Sequence, residues 1–181
     1  MPSSRSLSLR PLSATNPADI AALQSVLDAA PGYSRLLRGT PPGPDAARML
    51  LAALPQGCAA ADKRVLLLHE DGAAVGCCDI VRDHPEKGVA FIGLLLIIER
   101  AQGRGLGRDA FARLCRIAAG WQCRRLRVAV EENNPRALAF WRREGFVERL
   151  RRPAHGIAGT AVVLERDNPM AGRYGPSGRG A

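Results

Sequence analysis

VAFIGLLLIIERAQGRGLGRD, residues 89–109, is the stretch from which the rest of the chain is read. It opens with an unbroken apolar run, Val89 to Ile98, passes a short polar bend and reaches Gln102-Gly103-Arg104-Gly105-Leu106-Gly107. A bilayer span needs roughly 20 apolar residues, so this run is too short to cross a membrane. It fits a strand buried on both faces inside a helix-covered sheet. The glycines let backbone approach a ligand because no Cβ intervenes. A helical pattern follows, and its first turn offers unpaired N–H groups and the positive end of a dipole. Strand, glycine loop and helix N-terminus together make a phosphate-binding device.

The 181 residues suffice for one domain with a substantial core, and 46% hydrophobic content argues against global disorder. Aromatics are only 4%, so aliphatic side chains fill most of that core. All but two of the 26 basic residues are arginine, the exceptions being Lys63 and Lys87. The net charge of +9 is concentrated: Arg100 to Arg152 holds 14 arginines against five carboxylates. Such a field favours polyanions, whether a phosphorylated cofactor, nucleic acid or an acidic surface. Scarce exposed aromatics and the absence of a reader motif make nucleic acid the weakest of these readings. The five cysteines form no C-x-x-C pair, and no histidine has zinc-finger spacing, so no metal site is expected. Free thiols and an N-terminus without a continuous apolar segment fit a cytoplasmic protein.

Taken in order, Ser6–Arg10 alternates like a half-buried strand. Asn16-Pro17 caps a helix carrying Ile20, Leu23, Val26 and Leu27, which Pro31-Gly32 stops. Tyr33–Pro44 reads as a proline-rich loop, and a second helix runs from Asp45 to about Leu54. Val65–His69 and Ala73–Val81 flank Asp71-Gly72, the strongest hairpin signal in the chain. A second turn, Asp83–Gly88, leads into the central strand. A helix from Gly105 to Trp121 follows, then the strand Leu126–Val130. Asn134-Pro135 repeats the cap signature, Gly145 ends that helix, and strands begin at Phe146 and Ala161. Residues 1–167 make the domain, and 168–181 form a Gly/Pro/Arg-rich flexible tail.

Two common phosphate motifs fail on spacing. No Gly-Lys-Ser/Thr exists for a P-loop, and Arg108 stands where a dinucleotide fingerprint needs a small residue. What remains is Q-x-x-G-x-G at Gln102, Gly105 and Gly107. This resembles the acyl-CoA signature of the GCN5-related N-acetyltransferases (GNAT). The segment Asn134-x-x-Ala137-x-x-Phe140-Trp141-x-x-x-Gly145-Phe146 is similar to a second motif of that family. The expected order β-α-α-β-β-β-α-β-α-β-β matches it too. The resemblance implies an α/β fold of the α+β type. Its sheet is mixed, mostly antiparallel and six- to seven-stranded, with helices on both faces and a splay between the central strand and the next.

It also implies acetyl transfer from acetyl-CoA, the co-substrate, to a primary amine on a small molecule or a peptide, by direct attack in a ternary complex. A non-catalytic acyl-CoA-binding module is the alternative, and a homodimer is compatible with either. Pantetheine would bond backbone at Leu95, Leu96 and Ile97, with the Leu96 N–H stabilising the oxyanion. Gln102, Gly103, Arg104, Gly105, Leu106, Gly107 and Arg108 would hold the pyrophosphate. Asn134 would contact pantetheine, cap its helix, or both. Many family members carry tyrosine at the position of Trp141 and use its hydroxyl as the acid. An indole N–H cannot serve so, which leaves Trp141 to pack against cofactor or core. Asp79, a carboxylate in an otherwise apolar strand, is the expected base, with His84 and Glu99 as alternatives. Tyr33 and His84 are candidate contacts for the acceptor.

Overall fold

The computed structural model describes residues 6–154 and 159–172. Strands β1 (Leu7–Pro11), β2 (Lys63–Glu70), β3 (Ala73–Arg82), β4 (Val89–Ile97), β5 (Arg125–Glu131), β6 (Val147–Pro153) and β7 (Thr160–Asp167) form one sheet. Its order is β1-β2-β3-β4-β5-β7-β6, and β4–β5 is the parallel pair among antiparallel ones. Helices α1 (Pro17–Asp28), α2 (Pro31–Arg38) and α3 (Ala46–Ala52) cover one face, α4 (Leu106–Gly120) and α5 (Pro135–Arg143) the other. The expected mixed, mostly antiparallel sheet with helices on both faces is what forms.

The local signals that worked are specific. The Asn16 side chain accepts from the Ala18 amide at 3.0 Å, and Asn134 accepts from Ala137 at 3.1 Å. Asp71 and Gly72 both take positive φ, +50° and +85°, as a two-residue hairpin turn requires. Leu106, Ala110 and Leu114 are buried under α4, where Phe111 and Ala118 widen the apolar stripe and Ile117 is half-buried.

Three expectations need correcting. Pro31 does stop α1, but it also opens α2, so half of the expected loop Tyr33–Pro44 is helix. The cap of α2 comes from far away: the Gly32 amide donates to Glu99 Oε1 at 3.0 Å across 67 residues. Second, Val89–Ile97 is not buried on both faces throughout. Gly93 is exposed, and Leu95 and Ile97 are half-buried, because β5 leaves the strand midway. Third, the tail does not begin at Asn168. That side chain is buried and donates to the carbonyls of Cys115 (3.0 Å) and Cys123 (3.1 Å), tying Asn168 to the body of α4 and to the segment that follows it. Residues 173–181, the remainder of the expected tail, lie outside the described part.

All five cysteines are free thiols, four of them buried. No helix is long and apolar enough to cross a membrane, and no cluster of metal-ligating side chains occurs among the described residues.

Candidate active site

Parallel pairing of β4 with β5 runs only from Val89–Arg125 to Ile92–Val128. Beyond it β4 continues to Ile97 and β5 to Glu131 without pairing, so the sheet opens where the splay was expected. The point of separation coincides with a bulge. Asp79 pairs with Leu94 and Ile80 with Ile92, which leaves Gly93 as the extra residue.

The bulge also sets which backbone groups face the opening. Ile98 N donates to Val75 O at 3.0 Å, and Cys77 lies opposite Leu96. Antiparallel alternation therefore commits the Leu96 amide to β3 and turns Leu95 and Ile97 toward the open side. The amide of Leu96, the expected oxyanion donor, thus faces β3, and those of its two neighbours face the opening. Gln102 folds back to this edge, its Nε2 donating to Ile97 O at 2.9 Å, while Arg136 Nη2 reaches Gln102 Oε1 at 3.4 Å. Gln102 thus fixes the loop against the strand end.

Gly103 and Gly105 have φ of +76° and +84°, a region that costs L-residues with a side chain roughly 1–2 kcal/mol. A Cβ at either would meet nothing within 4 Å, so it is the backbone conformation and not packing that calls for glycine here. Gly105 caps α4 without any side-chain acceptor. The amides of Gly103, Gly105, Leu106 and Gly107 donate to no carbonyl or side chain among the described residues. Gly107 has an added reason: a Cβ there would stand 3.4 Å from Phe140, so it sets the approach of α4 to α5. Arg104 is held by the buried Glu70 carboxylate at 3.0 Å, and Arg108 is exposed at the start of α4.

On the α1–α3 face, the C-terminal half of β4 floors a cavity of about 250 Å³. Leu27, Tyr33, Leu37, Leu50, Leu94 and Leu96 contribute to its wall, and Met49 and Arg38 stand at its outer side. Tyr33 thus sits where an acceptor contact was expected. Its phenol is pushed up to about 12, first by burial, then by Cys77, Glu131 and Asp79 against the opposing charge of Arg38, so it remains a donor.

Asp79 is buried beside this floor. Its Oδ2 lies 3.2 Å from Lys63 Nζ, and its Oδ1 has no hydrogen-bond partner. Burial raises its carboxyl and the Lys63 charge only partly offsets that. Lys63 is nearly inaccessible, and its ammonium also donates to Leu50 O at 2.6 Å and Ala53 O at 2.5 Å, closing the C-terminus of α3.

Other expected residues fall elsewhere. His84 lies in the β3–β4 turn, at the end of β4 opposite the glycine loop. It packs edge-on to Phe91 at 5.3 Å, 3.7 Å from Cys58 Sγ. Burial and then Arg152 and Arg127 lower its pKa. Nine strand residues, on the order of 30 Å, separate it from the loop, and it is not among the residues that line the cavity. Glu99 is occupied as the α2 cap. Trp141 is buried in a cluster with Phe111, Phe140 and Phe146, with ring centroids 4.9–5.6 Å from its own. Asn134 caps α5.

Sequence reading overlooked Lys63, Gly93, Arg38, Leu37 and Met49. Two carried a signal: Lys63 is one of two lysines in an arginine-rich chain, and Gly93 interrupts an apolar run, a bulge signature.

The profile described as "Acetyltransferase (GNAT) family" matches residues 32–146. The chain is similar to an acetyltransferase from Thermus thermophilus, with 32% identity and a TM-score of 0.70, over 90% of this chain and 97% of that one. It shares its fold with the ribosomal-protein-S18-alanine N-acetyltransferase of Escherichia coli (16% identity, TM-score 0.66, 92% and 97% covered). The same fold occurs in the spermidine N-acetyltransferase of Vibrio cholerae in complex with CoA and spermine (15% identity, TM-score 0.67, 90% and 95% covered). No curated protein matches the chain.

Proposed function

The chain belongs to the acetyltransferase (GNAT) family, and from that premise we propose that it transfers an acetyl group from acetyl-CoA to a primary amine within a ternary complex. The observation that carries this is the opened sheet: a strand edge at Leu95 and Ile97 with no strand partner, leading directly to a helix N-terminus whose amides have no acceptor among the described residues. Buried or half-buried backbone left in that state calls for a ligand to pair it. Pantetheine, an extended amide chain, fits the edge, and a pyrophosphate fits the amides of Gly103 and Gly105–Gly107 beside Arg108.

The thioester then lies where the opening meets the cavity. The amine nitrogen bonds to the acetyl carbon, the C–S bond breaks, and the carbonyl oxygen gathers charge near the outward amides of Leu95 or Ile97. An alkylamine has an unperturbed pKa near ~10.4 and must lose a proton before attack. Asp79, directly or through water, is the group that takes it. Water protonates the departing thiolate, since Trp141 is enclosed by aromatic rings. A thiol pKa near ~8.5 makes that demand small.

Isothermal calorimetry should show acetyl-CoA binding, and free thiol should be released when amines are added. No binding at millimolar acetyl-CoA would overturn the reading. Binding without thiol release across a broad amine panel would leave the acyl-CoA-binding module in its place.

A further inference from the structure

Gly93 is not made glycine by a left-handed backbone. Its φ is not positive, it sits within a strand, and it costs the sheet a side chain. Its surroundings supply another reason. A Cβ at this position would stand 3.0 Å from Asp79 Oδ2 and 3.4 Å from Asp79 Cγ, on the floor of the cavity that Gly93 itself lines. The missing side chain therefore leaves a gap through which the buried carboxyl is reached. Elsewhere the lining is mostly aliphatic, with Tyr33 and Ser34 as its neutral polar members. Among the described residues its lining includes no carboxylate, and its one charged member, Arg38, is a cation.

We infer that the acceptor is a compact monoamine with an apolar body, its nitrogen over the Gly93 gap toward Asp79 and its body between α2 and α3. This rests on the acetyltransferase reading and narrows it. One ammonium meets, at the floor, the Asp79 carboxylate that Lys63 shares. A second would lie against leucine and methionine, facing Arg38, and an unpaired charge in apolar surroundings is strongly disfavoured. The cavity's size agrees. At about 250 Å³ it is smaller than the roughly 300–1,000 Å³ clefts that hold drug-sized ligands.

A neighbouring cavity of the same volume is the competing seat. It lies across Leu37 and is lined by Glu131, Glu132, Asn133 and Thr160, so it is suited to a polycation. No β4 residue contributes to it, and Glu132 is already engaged by Arg151. The apolar cavity is the one that β4 lines, through Gly93, Leu94 and Leu96.

The test compares phenethylamine and isoamylamine with spermidine and putrescine by thiol release, with acetyl-CoA binding measured separately by calorimetry. The apolar monoamines should have kcat/KM at least about 100-fold above the polyamines. Gly93→Ala should lower kcat/KM for phenethylamine at least about tenfold while the Kd for acetyl-CoA holds. Met49 is 56% exposed, so Met49→Glu should fold normally. It should move the spermidine-to-phenethylamine ratio toward spermidine by about tenfold. Acetyl-CoA binding together with equal or better use of spermidine would overturn the inference alone and point to the Glu131–Glu132 cavity. An unchanged ratio in Met49→Glu would also overturn it. Failure to bind acetyl-CoA would remove the acetyltransferase reading as well.

Discussion

The two halves of the site lie on one strand and are built from different materials. The half toward β5 is backbone: an open strand edge, two left-handed glycines and the amides that begin α4. The half toward α1–α3 is side chain: leucines from several elements, a tyrosine, and a buried lysine–aspartate pair 16 residues apart in sequence. A backbone site requires little beyond glycine at fixed spacing, so its signature is short and local. A side-chain site depends on which elements fold over it, and the same cavity could be assembled from many residue sets. Shared chemistry on one side and freedom on the other follow from that difference alone.

The comparison can be broken at its most consequential point first. Lys63→Ala strips Asp79 of its counter-charge and the α3 terminus of its cap. Removing one member of a buried pair costs about 3–5 kcal/mol, to be read as a lower urea midpoint. A midpoint near that of the unmutated chain would show that the acceptor half is not held together by this pair. Gly105→Glu attacks the other half, setting a carboxylate and a strained φ among the amides proposed to hold phosphate. Acetyl-CoA binding should weaken about 100-fold, or roughly 2.7 kcal/mol, in calorimetry, and unchanged affinity in a folded protein would remove the loop from the cofactor site.

Asp79→Asn separates the halves kinetically. The rate should fall at least about tenfold with acetyl-CoA affinity unchanged. Burial raises the Asp79 carboxyl despite Lys63, so the carboxylate needed as base is lost on descending through a pKa above the ordinary aspartate range. The rate should therefore decline in mild acid, and Asp79→Asn should flatten that limb. An identical pH profile in the variant would exclude Asp79 as the base. The smallest effect belongs to Arg104→Ala. Its guanidinium is exposed and committed to Glu70, so affinity for acetyl-CoA should change by about threefold or less. A loss matching Gly105→Glu would mean that the phosphate seat is made of charge and not of amides.

The same difference explains what could be read in advance. Strands, the Asp71-Gly72 hairpin, both asparagine caps and the opening between β4 and β5 rest on local pattern or on the two motifs, and they form as expected. What escaped depends on distance. Helix α2 is capped by Glu99, and Asn168 is anchored by carbonyls near the far end of α4, so neither could be seen in its own neighbourhood. His84 illustrates the converse. A histidine in a turn looks available for chemistry, but the meander carries that turn to the wrong end of the strand. Asp79 was visible as an oddity, while its partner Lys63 and the gap at Gly93 became meaningful only through pairing register and packing.

The bulge at Gly93 has one more consequence, concerning insertion and deletion. Residues before it are in register with β3 on one count, and residues after it on a count shifted by one. Excising that single glycine would bring the two counts of the β3–β4 pairing into step and draw the Leu94–Ile97 segment back by one residue. Which amides of β4 face the opening is thus set by the length of the strand as much as by its composition, and one residue is the whole of the margin.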